Sequence, residues 1–469
     1  MSGASQRVVV IGGGISGLSA ACDLTRAGVD CTILEGQSRA GGVIETRVAE
    51  GCTLECGPDS FLSAKPAALE LIKELGLEEE VIGSNDHQRT TYIWKRGKLV
   101  ALPEGVMMIV PSRVLPLVKS PLLGWSTKIR MGLEYFRRPG ESRDRSVAEF
   151  VTDHFGRETL DYLAEPLLSG VYGGDPARMS VAGVLPRFLQ MEAEYGSLVR
   201  GVLASRAKST GPPAPLFRTL RGGLGTLVSA LAARVKIVHA TAETIEHASD
   251  GFRVRAGGSG AASAWIDADR VIVACPAWAA SSVVEGLDVR LAELLGGIEY
   301  SSTLILSLIY SASDFDGKRA GFGFLVPKIE RRRLAACTFS GTKFSHRVPD
   351  DRIVLRCFFG GHSDPGVLDE SDDALVNLAR EELRRMLGLT AAPVAREIAR
   401  WPRSMAQYTL GHAQRLEEIR RRAVALLEFF HAREDVRETH RIGVKHRPAA
   451  PRVSKHARRP ARYSLGSGF

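Results

Sequence analysis

A mixed α/β fold of more than one domain is predicted by three features of the sequence. The first 35 residues read as strand, glycine-rich turn, helix and strand, the repeating unit of a parallel sheet flanked by helices. Stretches at 303–310, 334–340 and 352–358 are β-rich with few crossover helices between them, which fits an antiparallel sheet. The chain has 469 residues, 44% hydrophobic and 25% charged, an ordinary globular composition too long for one core.

The formal net charge is +9, and ten Lys/Arg against three acids in 431–469 account for +7 of it. The body is nearly neutral, so nucleic acid is not an expected partner. The seven cysteines are odd in number and scattered, with Cys52 and Cys56 the only close pair. No second pair or histidine cluster completes a zinc site, so no metal is expected, and isolated thiols fit a reducing compartment. No signal peptide is visible and no apolar run reaches about 18 residues. The expected location is cytoplasmic, or peripheral at the inner face of the cell membrane.

The first strand, Arg7–Ile11 (RVVVI), is a continuous apolar run suited to burial on both faces. Gly12, Gly14 and Gly17 follow in G-x-G-x-x-G spacing, with Gly13, Ile15 and Ser16 between them, and Ile15–Arg26 has an Ala-rich helical pattern. Gly12 permits the tight turn, Gly14 lets backbone N–H groups approach a pyrophosphate, and Gly17 lets helix and strand pack closely. The helix N-terminus favours phosphate charge. A second strand, 31–34, ends at Glu35, placed to accept hydrogen bonds from both ribose hydroxyls of a dinucleotide and to repel a 2′-phosphate. Arg39, Gly41 and Gly42 come next, then Gly57-Pro58-Asp59-Ser60. A second glycine cluster suits a long flavin dinucleotide, along which backbone must run closely, and Arg39 can offset pyrophosphate charge. FAD is therefore expected rather than NAD; the alternative is a pair of loop turns.

Residues 66–76 read as a helix with proline at its first turn, and 89–94 with 98–102 as a hairpin split by Arg96-Gly97. From 106 to 139 apolar residues (Met107, Met108, Ile109, Leu115, Leu117, Leu122, Leu123, Trp125) mix with Arg113, Lys119, Lys128 and Arg130. That stretch is either a helical cover over a core or a face lying on a membrane. Residues 146–200 read as mainly helical and 208–215 as a loop. A helix to Ala233 follows the glycines at 222–225; 235–238, 252–254 and 270–274 are expected as strands of the first sheet, with 257–260 in a turn. Residues 370–387 form one amphipathic helix.

The glycine fingerprint and the segments after it resemble the flavin amine oxidase superfamily. Longer segments resemble its oxygen-dependent porphyrinogen oxidases of haem synthesis. They are Glu55-Cys56-Gly57-Pro58-Asp59-Ser60-Phe61-Leu62, Leu102-Pro103-Glu104-Gly105, 165–176 (EPLLSGVYGGDP), 321–327 (GFGFLVP) and Trp401 through Gln407-Tyr408-Thr409-Leu410-Gly411-His412. The resemblance covers residues 7 to about 422. It implies a Rossmann-type FAD-binding domain of the flavin amine oxidase fold (1–88 with 215–300 and 401–430), a substrate-binding antiparallel sheet (89–105 with 301–400) and a helical, possible membrane-facing domain (106–214). The residues 270–278 resemble the family's strand and loop over the adenosine end of the cofactor, whereas Ala242-Glu243-Thr244 departs from the usual valine near the adenine.

No Ser-His-Asp order, HExxH motif or carboxylate pair stands out, and a flavin oxidase needs no side-chain nucleophile. The resemblance implies a six-electron oxidation of a porphyrinogen with O2 as acceptor and H2O2 released. It places Arg89 before a substrate propionate, with Lys65 and Lys343 as further candidates, and Asp59 and Ser60 beside the flavin. Read alone, Arg89 is an exposed strand charge and Asp59-Ser60 a polar turn. Coproporphyrinogen III has four propionates and protoporphyrinogen IX two; the bacterial look of the G-P-D-S-F-L and P-L-L-S-G-V-Y segments favours the former.

After about Arg422 the family pattern stops. Its second flavin-binding stretch, resembling G-N-x-Y-x-G-x-G-x-x-D-C, is replaced by an Arg/His/Pro-rich tail, 431–469. That tail reads as the product of a frame shift in a GC-rich gene; the alternative is a basic arm for nucleic acid or acidic lipid. Other functional readings are a different flavin amine oxidase or desaturase, or an inactive flavin-fold protein lacking its C-terminal cofactor motif.

Overall fold

In a computed structural model, Arg7–Ile11 is an inner strand of a four-stranded parallel sheet, with order 236–239, 30–35, 7–11, 270–273. The structure describes residues 6–107, 109–111, 113–140, 143–207, 214–258, 261–315 and 321–428. Outside them lie Met108, most of the expected loop at 208–215, the end of the expected turn at 257–260 and the tail at 431–469. Val8, Val9, Val10 and Ile11 are buried, as a strand covered on both faces requires. The helix Ile15–Arg26 packs on the sheet through Leu18, Ala21 and Leu24.

Residues 252–254 do not join this sheet. They belong to Gly251–Gly258, the middle strand of a separate antiparallel sheet between Thr241–Ala248 and Ala261–Ala268. The sequence explains the correction: Phe252 and Val254 turn inward while Arg253 and Arg255 face solvent. Such alternation suits a sheet with one wet face, not one sandwiched by helices.

A seven-stranded sheet has the order 395–406, 300–311, 352–360, 336–339, 323–325, 91–95, 98–101. Every neighbouring pair is antiparallel except Gly323–Leu325 on Thr91–Lys95, strands too far apart in sequence for a hairpin to set their direction. One face packs Leu304, Leu306, Leu308, Phe324, Cys357 and Phe359 onto the helix Asp372–Leu387. Ser371 caps that helix at its start, and Gly388, left-handed, ends it.

Helices between 114 and 207 enclose a core around Phe150, Phe155, Leu163 and Leu168 that reaches Ile93, Leu325 and Ala336 on the other sheet face. The last described helix, His412–Glu428, turns Leu416, Ile419, Ala423 and Leu426 toward the core of the first domain, and Arg422 pairs with Asp288 at 2.9 Å. The 3-4-3 spacing of those apolar residues keeps one helix face in register past Arg422. Among the described residues, no helix is long and apolar enough to cross a membrane.

Candidate functional site

The groove begins where the first strand ends. Gly12 has φ +105° and donates its N–H to the Leu34 carbonyl at 2.8 Å, closing the turn between the two inner strands. A Cβ on Gly17 would stand 1.9 Å from the Gly12 carbonyl oxygen, so the helix can approach the strand only without one. A Cβ on Gly14 would meet nothing within 4 Å. The backbone at Gly14 opens onto free space, and the helix that starts there has neither a side-chain cap nor an acid in its first turn. Its first N–H groups are thus available to an anion. Gly13 is buried, Ile15 half-buried and Ser16 exposed.

Glu35 is buried and accepts from Gly13 N at 2.6 Å and Gln37 N at 2.8 Å. Each carboxylate oxygen keeps a further lone pair for a hydroxyl. Arg39 does not stand free. Its guanidinium donates to the carbonyls of Ala40, Gly42 and Ile44 and lies 3.5 Å from Glu45, so it shapes the loop that carries Gly41 and Gly42. Gly41 donates to Gly13 O at 2.8 Å, and the Cβ absent from Gly42 would lie 3.3 Å from Gly14 Cα. A Cβ on Gly57 would stand 1.7 Å from the Val43 carbonyl oxygen. Residues 12–17, 41–43 and 57 therefore form one continuous backbone wall, onto which Pro58, Asp59 and Ser60 follow.

Behind that wall lies a buried charge network that sequence reasoning missed. Arg356 donates to the Gly57 carbonyl and stands 3.5 Å from Asp59. Arg347 pairs with Glu55 at 2.9 Å and donates to Thr219 Oγ1 at 2.6 Å. Burial alone would raise the Asp59 carboxyl, but the Lys343 ammonium and the Arg356 guanidinium outweigh it and hold the group well below the usual carboxylate range. Burial pushes Lys343 down, opposed by Asp59, and pushes Glu55 up, opposed by Arg347. One signal was available: Arg356 is a cation in mid-strand, between apolar neighbours on both sides in RIVLRCFFG, whereas Arg352 only opens that strand.

The three expected substrate cations separate. Lys343 is 3% exposed and its Nζ lies 3.0 and 2.9 Å from the two Asp59 oxygens, so it is a structural partner of Asp59 rather than a free propionate ligand. Arg89 does not open a strand; the strand is Thr91–Lys95, and Arg89 closes the turn before it, with its side chain half-exposed and 3.8 Å from Asp86. Lys65 is exposed in the turn before the helix Ala67–Glu74.

The protein-family model of flavin-containing amine oxidoreductases matches residues 15–433. A coproporphyrinogen III oxidase of Bacillus subtilis is 30% identical over 90% of this chain and 91% of its own. A chloroplastic protoporphyrinogen oxidase of Oryza sativa is 29% identical over 87% of this chain and 80% of its own. The crystal structure of a proposed protoporphyrinogen oxidase from Exiguobacterium sp. 255-15 superposes with a TM-score of 0.78 at 29% identity, covering 90% of this chain and 92% of that one. The chain belongs to the flavin-containing amine oxidoreductases. It is an FAD-dependent oxidoreductase with the flavin amine oxidase fold, and the open backbone at Gly14, the uncapped helix and the doubly anchored Glu35 fit that cofactor.

Away from the flavin groove, Asp153, His154 and Glu192 have ligand atoms close enough for a cation. Both ring nitrogens of His154 face carboxylates, Glu134 at 2.8 Å and Glu192 at 3.1 Å, while Arg137 and Arg145 bind Asp153 and Glu192. The imidazole and the two guanidiniums already occupy these carboxylates, and the cluster is a clamp between helices.

Proposed function

We propose that this flavoenzyme oxidises a porphyrinogen to the porphyrin in haem biosynthesis, with coproporphyrinogen III favoured over protoporphyrinogen IX. The observation that carries the reading is the relation to a coproporphyrinogen III oxidase across nine-tenths of both chains. Bound FAD supplies a two-electron acceptor for the hydride of a bridging carbon. Gly12, Gly13, Gly14, Ile15, Ser16 and Gly17 receive its pyrophosphate, Glu35 its ribose, and Gly41, Gly42, Gly57, Pro58, Asp59 and Ser60 line its path, while Arg39 fixes the loop beside it. Arg89 and Lys65, whose side chains reach solvent, meet the substrate carboxylates. The chain's task is orientation and electrostatics, and O2 takes up the electrons as H2O2.

A membrane surface is the proposed site of work. On Trp125–Leu133 and the turn after it, Thr127, Met131 and Glu134 are buried while Trp125, Ile129, Leu133 and Phe136 form an exposed stripe at spacings of 4, 4 and 3. Val114 and Leu115 are also each more than 70% exposed, and Arg113 and Lys119 flank them along the chain. An apolar stripe of this size with basic flanks suits the interface of an acidic bilayer. Sedimentation with phosphatidylglycerol vesicles, and its loss in Ile129→Asp/Phe136→Asp, tests it.

The absorbance spectrum of the purified chain comes first. Flavin bands retained through gel filtration, followed by porphyrin fluorescence growing faster from coproporphyrinogen III, is the expected result. A colourless folded protein favours the inactive reading instead, and flavin without porphyrin formation removes the porphyrinogen.

A further inference from the structure

The buried charges behind residues 55–60 do not balance. Glu55 and Asp59 face Lys343, Arg347 and Arg356, two carboxylates against three cations, and none of the three cations is more than 4% exposed. The Nε atoms of Arg347 and Arg356 are buried without a partner among the described residues. A buried cation in excess is costly unless an anion completes it. Arg356 touches the groove wall: it binds the Gly57 carbonyl directly, and Gly57 is packed against Val43 in the wall that starts at Gly14.

We propose that Arg356, held in place by Asp59 and Lys343, keeps a fixed positive charge at the ring end of the flavin groove and raises the two-electron potential of the bound cofactor. This rests on the reading that residues 57–60 border the flavin ring. In each round a bridging C–H bond of the substrate breaks with loss of a hydride, a pyrrole N–H loses its proton, and O2 leaves with both electrons and both protons as H2O2. A hydride carries negative charge to its acceptor. A fixed cation nearby favours that half of the round, the more so where water is excluded. Arg356 acts here through the field it sets, as a positioning residue rather than a catalytic one.

The test compares wild-type holoprotein with Arg356→Gln, Arg356→Lys, Lys343→Met and Asp59→Asn. Two readouts need no porphyrinogen: the flavin midpoint potential by dye equilibration, and the dissociation constant of the flavin–sulfite adduct, which also places negative charge on the ring. R356Q should shift the reduction equilibrium at least tenfold, about 30 mV for a two-electron couple, and weaken the sulfite adduct by a similar factor. R356K should restore most of both. K343M should shift them in the same direction as R356Q, and D59N, which removes an anion, in the opposite one. An unchanged potential in a flavin-loaded R356Q overturns the proposal, as does loss of flavin by a folded R356Q, which would assign the cluster to cofactor capture. If R356Q does not fold, K343M and D59N decide, and shifts of the same sign overturn it. The expected shifts without porphyrin formation would leave this inference standing and remove only the porphyrinogen. A wild-type chain that holds no flavin would remove both.

Discussion

Gly17 packs its Cα face against the carbonyl of Gly12 so closely that a Cβ would lie 1.9 Å from that oxygen. Helix and strand meet there across the turn that presents Gly14, so the close approach fixes both the packing and the anion site. Gly17→Ala must push the helix off the sheet. The expected outcome is loss of bound FAD, read as the absorbance ratio of flavin to protein, falling at least tenfold. Lys73→Ala, on the exposed side of the helix Ala67–Glu74, should leave that ratio near wild type.

Asp59 makes stability depend on acid. Its folded carboxyl lies below the unfolded value of about 3.9, so the folded state binds fewer protons than the unfolded one over that interval. The stabilisation is complete above the unfolded value and disappears as pH falls from there through the lower folded value. Urea midpoints of wild type should therefore drop below about pH 4, and D59N, weaker at neutral pH, should show a flatter acid limb. Parallel limbs for the two proteins would contradict the ion pairing.

His412 acts in a higher window. It is buried, stacked on Tyr408 at 4.6 Å, and its Nδ1 has no partner among the described residues. Burial lowers its affinity for a proton, and the nearby Arg415 charge lowers it further. The unfolded chain binds the proton first as pH falls below about 6.5, so stability declines from there down to the depressed folded value. His412→Phe keeps the stacking without the titration and should remove that decline, measured as melting temperature between pH 7.5 and 5.

The final described helix is part of the folded body. Ile419 is 4% exposed within the core of the first domain, and Ile419→Ala should cost about 2–4 kcal/mol in denaturant unfolding. The Arg422–Asp288 pair is partly exposed, and Arg422→Ala should move the denaturant midpoint far less than Ile419→Ala does.

What could be read from the sequence was what neighbours along the chain decide. Gly12, Gly14 and Gly17 act on one another within six positions, and Glu35 sits at the end of the very next strand, so the turn, the helix start and the carboxylate followed from spacing alone. Strand 252–254 was recognisable as a strand, but its period of two does not say which sheet receives it. Lys343 was misread because Asp59, which binds its ammonium, lies 284 residues away. Arg356 escaped notice for the same reason, its acceptor being the Gly57 carbonyl 299 residues away. Of the stripe at Trp125, Ile129, Leu133 and Phe136, only Trp125 stood out in the sequence, within a stretch that mixes apolar and basic residues. That it faces outward follows only from Thr127 and Met131 taking the inner positions.

His154 offers the sharpest separation of packing from charge. It is fully buried, and each ring nitrogen meets a carboxylate, Glu134 at 2.8 Å and Glu192 at 3.1 Å. Glu134 is also bound by Ser197 Oγ, Leu198 N and Val199 N, and so locks the start of Leu198–Ala207 to the helices before it. His154→Leu fills the volume but takes the imidazole's hydrogen bonds from two buried carboxylates, with an expected loss of about 3–5 kcal/mol. Adding Glu134→Gln removes one of those charges and should recover part of the loss, because the amide oxygen still accepts from Leu198 N while the amide nitrogen donates to Ser197 Oγ. A double mutant as unstable as the sum of its two single mutants would show that His154 acts by shape and not through its hydrogen bond to Glu134. The flavin absorbance of both variants should stay near wild type, since this clamp stands apart from the groove.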